Sequence, residues 1–180
     1  MDAVANVVTA AFLYSNGMRR DTELLLLFVS DPQRTLRVRL DSTRLRNLNP
    51  DERSTAALVK NAIQRYWGVV AHNELEGIPL DPETETSPGI FVAREEAPRL
   101  LTEYASRPGT VWFTEGGGEF PPGLSRGPLR AILSDPYEFS EEERTLLEAA
   151  GPRRISLGPL PLHTAQCLAI VHNRLDTEKP

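Results

Sequence analysis

The chain predicts an α/β fold in a single domain over residues 1–180, a mostly parallel sheet with helices on both faces. Segments of strand and helix character alternate along its length, the pattern of a sheet with helices laid across it. Leu24 to Val29 is a continuous apolar run, as suits a strand covered on both sides. The last quarter reads as a short strand (Arg154 to Leu157), a stiff Gly-Pro-Leu-Pro turn and an apolar helix from Leu162 to Leu175. Leu162, Ala165, Leu168, Ala169, Ile170, Val171 and Leu175 spread around most of that helix, which predicts walls on several sides.

The elements follow in order. Val4, Val7, Val8, Ala11 and Phe12 fall at helical spacing within Asp2 to Ser15, and Asn16-Gly17 reads as the C-terminal cap. Asp31-Pro32-Gln33-Arg34 is a turn, and Leu36 to Leu40 alternates with period two, which predicts a half-exposed edge strand with Arg37 and Arg39 on its wet face. Asn49 with Pro50 and Glu52 forms a capping-box arrangement for a helix running to about Tyr66. Gly68 to Ser87 has no clear period and reads as a long loop. Gly89 to Arg94 is a strand, Glu95 to Ala105 a helix, and Thr110 to Thr114 a strand after the Arg107-Pro108-Gly109 turn. Gly116-Gly117-Gly118 at that strand's carboxyl end reads as a flexible loop, or as a place where backbone can approach a ligand closely. It is not a phosphate fingerprint, because neither G-x-G-x-x-G nor G-x-x-x-x-G-K-[ST] occurs. Leu129 to Leu133 is a strand, and Ser140 caps a helix from Glu141 to Ala150 that Gly151 ends.

Composition narrows the function classes. No run of eighteen apolar residues is present and the N-terminus lacks a signal-peptide layout, so the expectation is a soluble cytoplasmic protein without a membrane partner. The single cysteine, Cys167, excludes an internal disulfide and a multi-cysteine zinc site. The net charge of −5 argues against non-specific coating of nucleic acid, but charge is uneven. From Arg34 to Arg65 eight basic residues stand against three acidic ones, enough to set a positive face on an acidic molecule or to form an ordinary solvated surface. The basic residues are arginines almost throughout, which favours bidentate phosphate contacts.

His163 and Cys167, four apart on a helix, have half the geometry of a metal site. No third ligand accompanies them, since His172 points to the opposite side, and no metal is expected.

Ile155-Ser156-Leu157-Gly158-Pro159-Leu160-Pro161-Leu162-His163, then Cys167, then His172-Asn173-Arg174-Leu175-Asp176 resembles the C-terminal signature of the TrmY-like pseudouridine N1-methyltransferases of the SPOUT superfamily. Asn49-Pro50-Asp51-Glu52-Arg53 and Ser87-Pro88-Gly89-Ile90-Phe91-Val92 match the same family in the same order. The resemblance implies a trefoil knot formed by the C-terminal segment over about 110–176, a bound S-adenosylmethionine, pseudouridine in a tRNA loop as methyl acceptor, and a homodimer. It also implies site residues: Leu157, Gly158, Pro159, Leu160, Pro161, Leu162 and Cys167 around the cofactor, with Phe113 and Ser134 on two further loops. Asp2 and Arg20 take the catalytic positions, and Arg20, Arg53 and Arg94 the RNA contacts.

Two departures from the family accompany the matches. Ser134 stands where a glycine is usual, followed by Asp135-Pro136-Tyr137-Glu138 in place of an acid- and glycine-rich loop. Family members begin with a strand and a Gly-Arg loop ahead of the helix that holds Asp2, so either the natural start lies upstream or a partner replaces that strand. A catalytically impaired RNA-binding relative, a ribosomal RNA methyltransferase and a metabolite-binding α/β module are the readings left beside the tRNA enzyme.

Overall fold

Leu36, Val38 and Leu40 are buried, while Arg37, Arg39 and Asp41 between them are only partly covered. That alternation sets the middle of a sheet in the computed structural model, which describes residues 1–29, 35–46, 48–124, 127–134 and 137–178. The predicted turn at residues 31–34 lies outside them. The chain divides into two units, Met1–Ala97 and Pro98–Pro180. No helix among the described residues is long and apolar enough to cross a membrane.

In the first unit, α1 (Asp2–Phe12) leads into a small hairpin of β1 (Leu13–Tyr14) and β2 (Gly17–Met18). Asn16-Gly17 therefore serves a strand reversal rather than a helix cap, because Leu13 already has extended backbone. Four antiparallel strands follow: β3 (Glu23–Phe28), β4 (Thr35–Asp41), β5 (Thr84–Ser87) and β6 (Ile90–Glu95), in the order β3-β4-β6-β5. The sequence expectation reversed two of them. β3, expected to be covered on both faces, is the edge strand with Leu27 exposed, and β4, expected at the edge, lies between β3 and β6.

Arginines can occupy a central strand because glutamates meet them. Arg37 pairs with Glu83 at 2.8 Å and Glu95 at 3.0 Å; Arg39 pairs with Glu83 and with Glu23 at 3.1 Å, its guanidinium carbon 3.9 Å from the Phe91 ring centroid. The predicted positive face thus loses Arg37 and Arg39, and Arg44 too, which pairs with Glu85 at 2.7 Å. Hydrogen bonding from Arg39, joined by the charge of Arg37, holds the Glu83 carboxyl below its ordinary pKa. A carboxylate whose folded pKa is depressed contributes stability above its unfolded pKa, and loses it as pH falls through the folded value. Glu83→Gln is therefore expected to destabilise the protein by about 1 kcal/mol at neutral pH, because solvent still reaches the pair and Glu95 and Glu23 continue to meet the two arginines. In thermal unfolding, the gap to wild type should close as pH drops below about 4; a gap that stays constant with pH would show that the ion pairs contribute nothing.

α2 (Glu52–Glu76) begins one residue after Asp51, whose carboxylate accepts the Ser54 N–H at 2.8 Å. Asn49, expected as the cap, instead offers its carbonyl to the Thr55 hydroxyl at 2.9 Å. The helix passes through Gly68 and ends ten residues beyond Tyr66. Thr55, Val59, Ala62, Tyr66 and Val70 form one continuous buried stripe, and the burial of Val70 offsets the roughly 1 kcal/mol that an interior glycine costs. The long loop expected over residues 68–87 is thus mostly the end of α2 and β5.

The second unit meets the expectation of helices on both faces. Its sheet is parallel, β8 (Arg130–Ile132), β7 (Thr110–Gly118) and β9 (Arg153–Ile155) in that order. Trp112 packs on one side with Leu101 and Ala105 of α3 (Ala97–Ala105) and Leu147 of α4 (Glu141–Ala150). Val111, Phe113 and Ile155 pack on the other with Val171 of α5 (Thr164–Glu178). α4 has the predicted cap, Ser140 and Glu143 bonding reciprocally, with Gly151 at its end. α5 is not walled in all round: Val171 is its one fully buried residue, while Ala169 and Asn173 are exposed. The mostly parallel sheet of the sequence reading is thus corrected to parallel pairing in the second unit and antiparallel pairing in the first.

Candidate functional site

The triple glycine and the bend before the last helix meet in the second unit. Phe113 and Gly118 both pair with Ile155, so the residues between them bulge out of register. A Cβ on Gly117 would stand 2.4 Å from the Ile155 carbonyl carbon and 2.6 Å from its nitrogen. Only a residue without a side chain lets these two backbones approach so closely. Ser156 completes the approach, its N–H donating to the Gly118 carbonyl at 2.7 Å.

Beside this contact lies a cavity of about 350 Å³, within the range of small-molecule sites. Gly117 and Gly118 expose main chain to it, and Ser156, Leu157 and Gly158 contribute the first half of the bend. The Ser156 hydroxyl braces that half by donating to the Gly158 carbonyl at 2.9 Å. Ile170 and Arg174, four apart on α5, close the helical side. Glu119 and Phe120 complete the lining, and Phe120 stacks on Phe113 with centroids 6.3 Å apart. The Arg174 guanidinium carbon is 5.7 Å from the Phe120 centroid. The Gly123 N–H donates to Glu178 at 3.1 Å, tying the segment after Phe120 to the end of α5. Apolar surface, open backbone and one side chain of each sign suit a flat ligand that carries both charges.

Of the residues expected around a cofactor, Leu157 and Gly158 line this cavity. Phe113 is buried behind Phe120. Leu162 and Cys167 are half-buried, with the Cys167 sulfur 3.8 Å from the Leu162 carbonyl oxygen. Burial, reinforced by the charge of Glu115, pushes the Cys167 thiol above its ordinary pKa, so it stays protonated. Ser134 enters through its main chain, accepting the Thr164 hydroxyl at 2.6 Å; residues 135–136 after it lie outside the described residues. Pro159, Leu160 and Pro161 turn outward, Leu160 being 71% exposed. His163 is a helix-start residue, its N–H held by the Gln166 side chain at 2.9 Å.

In the first unit, Asp2 is exposed in the first turn of α1 and Arg53 in that of α2. Arg20 donates to the Ser42 and Leu45 carbonyls at 2.7 and 3.0 Å, holding the turn after β4. Arg94 is exposed, its guanidinium carbon 4.9 Å from the Trp67 centroid. Sequence reasoning gave no site role to Glu119, Phe120, Ser156 or Arg174, although Ser156 and Arg174 stand within the C-terminal signature, and read Ile170 as core. The i, i+4 spacing of Ile170 and Arg174 was the available signal for the last two.

Comparison with known proteins identifies the family. A family profile described as "Putative SAM-dependent RNA methyltransferase" matches residues 1–179. The tRNA (pseudouridine(54)-N(1))-methyltransferase of Methanosarcina acetivorans is 33% identical over 179 residues, 98% of this chain and 78% of the relative. The protein of the same name from Haloarcula marismortui is 35% identical over 181 residues, 98% of this chain and 83% of the relative. Among solved structures, that of Archaeoglobus fulgidus Nep1 bound to S-adenosylhomocysteine superposes with a TM-score of 0.64 over 98% of this chain and 70% of that one. At 14% identity it shows a shared fold.

Proposed function

The chain belongs to the SAM-dependent RNA methyltransferase family that holds the archaeal tRNA pseudouridine N1-methyltransferases, and from there we propose that it methylates N1 of a pseudouridine in a tRNA loop. The observation that carries this reading is the glycine-floored cavity beside Leu157 and Gly158. S-adenosylmethionine carries an ammonium, a carboxylate and a flat adenine, and supplies an electrophilic methyl group on a sulfonium. Glu119 suits the cation, Arg174 the carboxylate, and the apolar faces of Leu157, Ile170 and Phe120 the adenine. Gly117 and Gly118 offer main-chain groups to the polar edges. Leu162, Cys167, Phe113 and Ser134 shape the surroundings, and Pro159, Leu160 and Pro161 continue the bend.

In the transfer, the C–S bond breaks toward sulfur as a C–N bond forms at N1, and the N1 proton must leave. Holding both reactants in line supplies much of the acceleration. Asp2 is the carboxylate assigned to orient the base or accept that proton, Arg20 is assigned the second catalytic role, and Arg53 and Arg94 are assigned RNA phosphate or base. A homodimer, a trefoil knot through residues 110–176 and a cytoplasmic location go with this reading. Calorimetry with S-adenosylmethionine should give saturable binding, and mass spectrometry of nucleosides from tRNA incubated with both should show a singly methylated pseudouridine. No heat at millimolar ligand would remove the cofactor. RNA binding with no methyl transfer would favour a catalytically impaired relative, the reading that Ser134 supports.

A further inference from the structure

One face of α2 has no part in the core of the first unit. Arg53, Lys60, Gln64, Trp67 and Ala71 follow one another at spacings of seven, four, three and four, which sets them on a single stripe of the helix. All five are exposed, opposite the buried stripe of Val59, Ala62, Tyr66 and Val70. At 1.5 Å per residue the stripe runs about 20 Å from Arg53 to Trp67. Between Arg53 and Asn73 the helix carries no acidic residue, in a chain whose net charge is −5. Arg37, Arg39 and Arg44 of this unit pair with glutamates, whereas Arg65 beside the stripe donates to neutral groups, the Ser87 hydroxyl at 2.6 Å and the Thr86 carbonyl at 3.2 Å.

Trp67 is the feature that general charge does not explain. It is 38% exposed, whereas Trp112, the other tryptophan, is 6% exposed. Tyr66 meets its ring edge-on, with centroids 5.7 Å apart, and the Arg94 guanidinium lies over it. Both groups flank the indole. The neighbouring Gly68 has nothing within 4 Å of where a Cβ would stand, so among the described residues no contact outside its own helix turn requires a glycine there.

The geometry points to this stripe as a binding surface for an unpaired segment of RNA, with phosphates on Arg53 and Lys60 and one base stacked on the Trp67–Arg94 pair. Cations spaced along a helix track a phosphate backbone, and an exposed ring gives a platform for any base, because every base has a π-face. The inference rests on RNA being the substrate, and adds to it which part of the chain takes a single-stranded flank of the modified nucleotide.

Tryptophan fluorescence in a tRNA titration tests it. Wild type should be quenched on binding, since stacking reaches the exposed indole. Trp67→Ala should lose about tenfold or more in tRNA affinity, while Trp67→Phe, which keeps a ring, should recover most of that affinity and lose most of the quench. Lys60→Ala should lower the slope of log affinity against log salt by about one. S-adenosylmethionine binding, measured in each variant, should match wild type, which separates a lost contact from a lost fold. Wild-type tRNA affinity and KM in Trp67→Ala, alongside intact methyl transfer, would overturn the stripe and leave the enzyme reading standing. An unchanged affinity with an altered oligomer mass would overturn it too, reassigning the face to contact between copies of the chain. A wild-type protein that binds no tRNA would overturn both.

Discussion

Gly117→Ala should lower S-adenosylmethionine affinity by roughly a hundredfold and destabilise the protein by about 3 kcal/mol, the upper range for overpacking a close contact. The added methyl would sit 2.4 to 2.7 Å from three backbone atoms of Ile155. Backbone in a paired strand cannot rotate aside as a side chain can, so β7 and β9 would have to separate where they shape the cavity. Gly116→Ala is the matched control, because its Cβ would meet only the end of the Arg154 side chain, at 3.3 Å. It should stay close to wild type in melting temperature and in calorimetric affinity. If Gly117→Ala does the same, the close approach of the two strands is not what forms the site.

Gly89→Ala is expected to be the most destabilising single change in the first unit. Gly89 has φ of +77° at the turn between β5 and β6, where an L side chain is strained. Its Cβ would also lie 2.5 Å from the Leu45 nitrogen and 2.7 Å from the Arg44 carbonyl carbon. Two hydrogen bonds hold it there: its N–H donates to Glu85 at 3.0 Å, and its carbonyl accepts from the Asp41 N–H at 2.9 Å. Strain and clash together should exceed about 3 kcal/mol, a fall in melting temperature of roughly 10 °C for a chain of this size. A drop within 2 or 3 °C would mean that the 42–45 turn yields. Tertiary contact thus accounts for the glycine of the Ser87-Pro88-Gly89 motif, which the sequence marked only as a family match.

What could be read in advance was whatever neighbouring residues decide among themselves. Ser140, Glu143 and Gly151 delimit α4 because a capping box and a helix stop are local hydrogen-bond geometry. Leu36 to Leu40 announced a strand by its period, but not its place in the sheet. A glutamate at position 83 or 95 makes an arginine tolerable in the middle of the sheet, and nothing near Arg37 or Arg39 in the chain records it. The helix read as ending near Tyr66 continues to Glu76, because Val70 finds a buried place. At the site, the bend at Leu157 and Gly158 was visible in its prolines and signature residues. Glu119, Phe120, Ile170 and Arg174 were not, since a cavity belongs to segments some fifty residues apart that meet only after folding.

The order of residues was thus sufficient for the kinds of most elements, though not for β5, the last turns of α2 or the β1-β2 hairpin, and, through three motifs, for the family. Folding alone settled which strand is central, which arginines are neutralised and which remain for a ligand, and which side chains surround the cavity. Capping and periodicity act over a few residues, whereas ion pairing, burial and close backbone approach depend on distances in space that the linear chain does not contain.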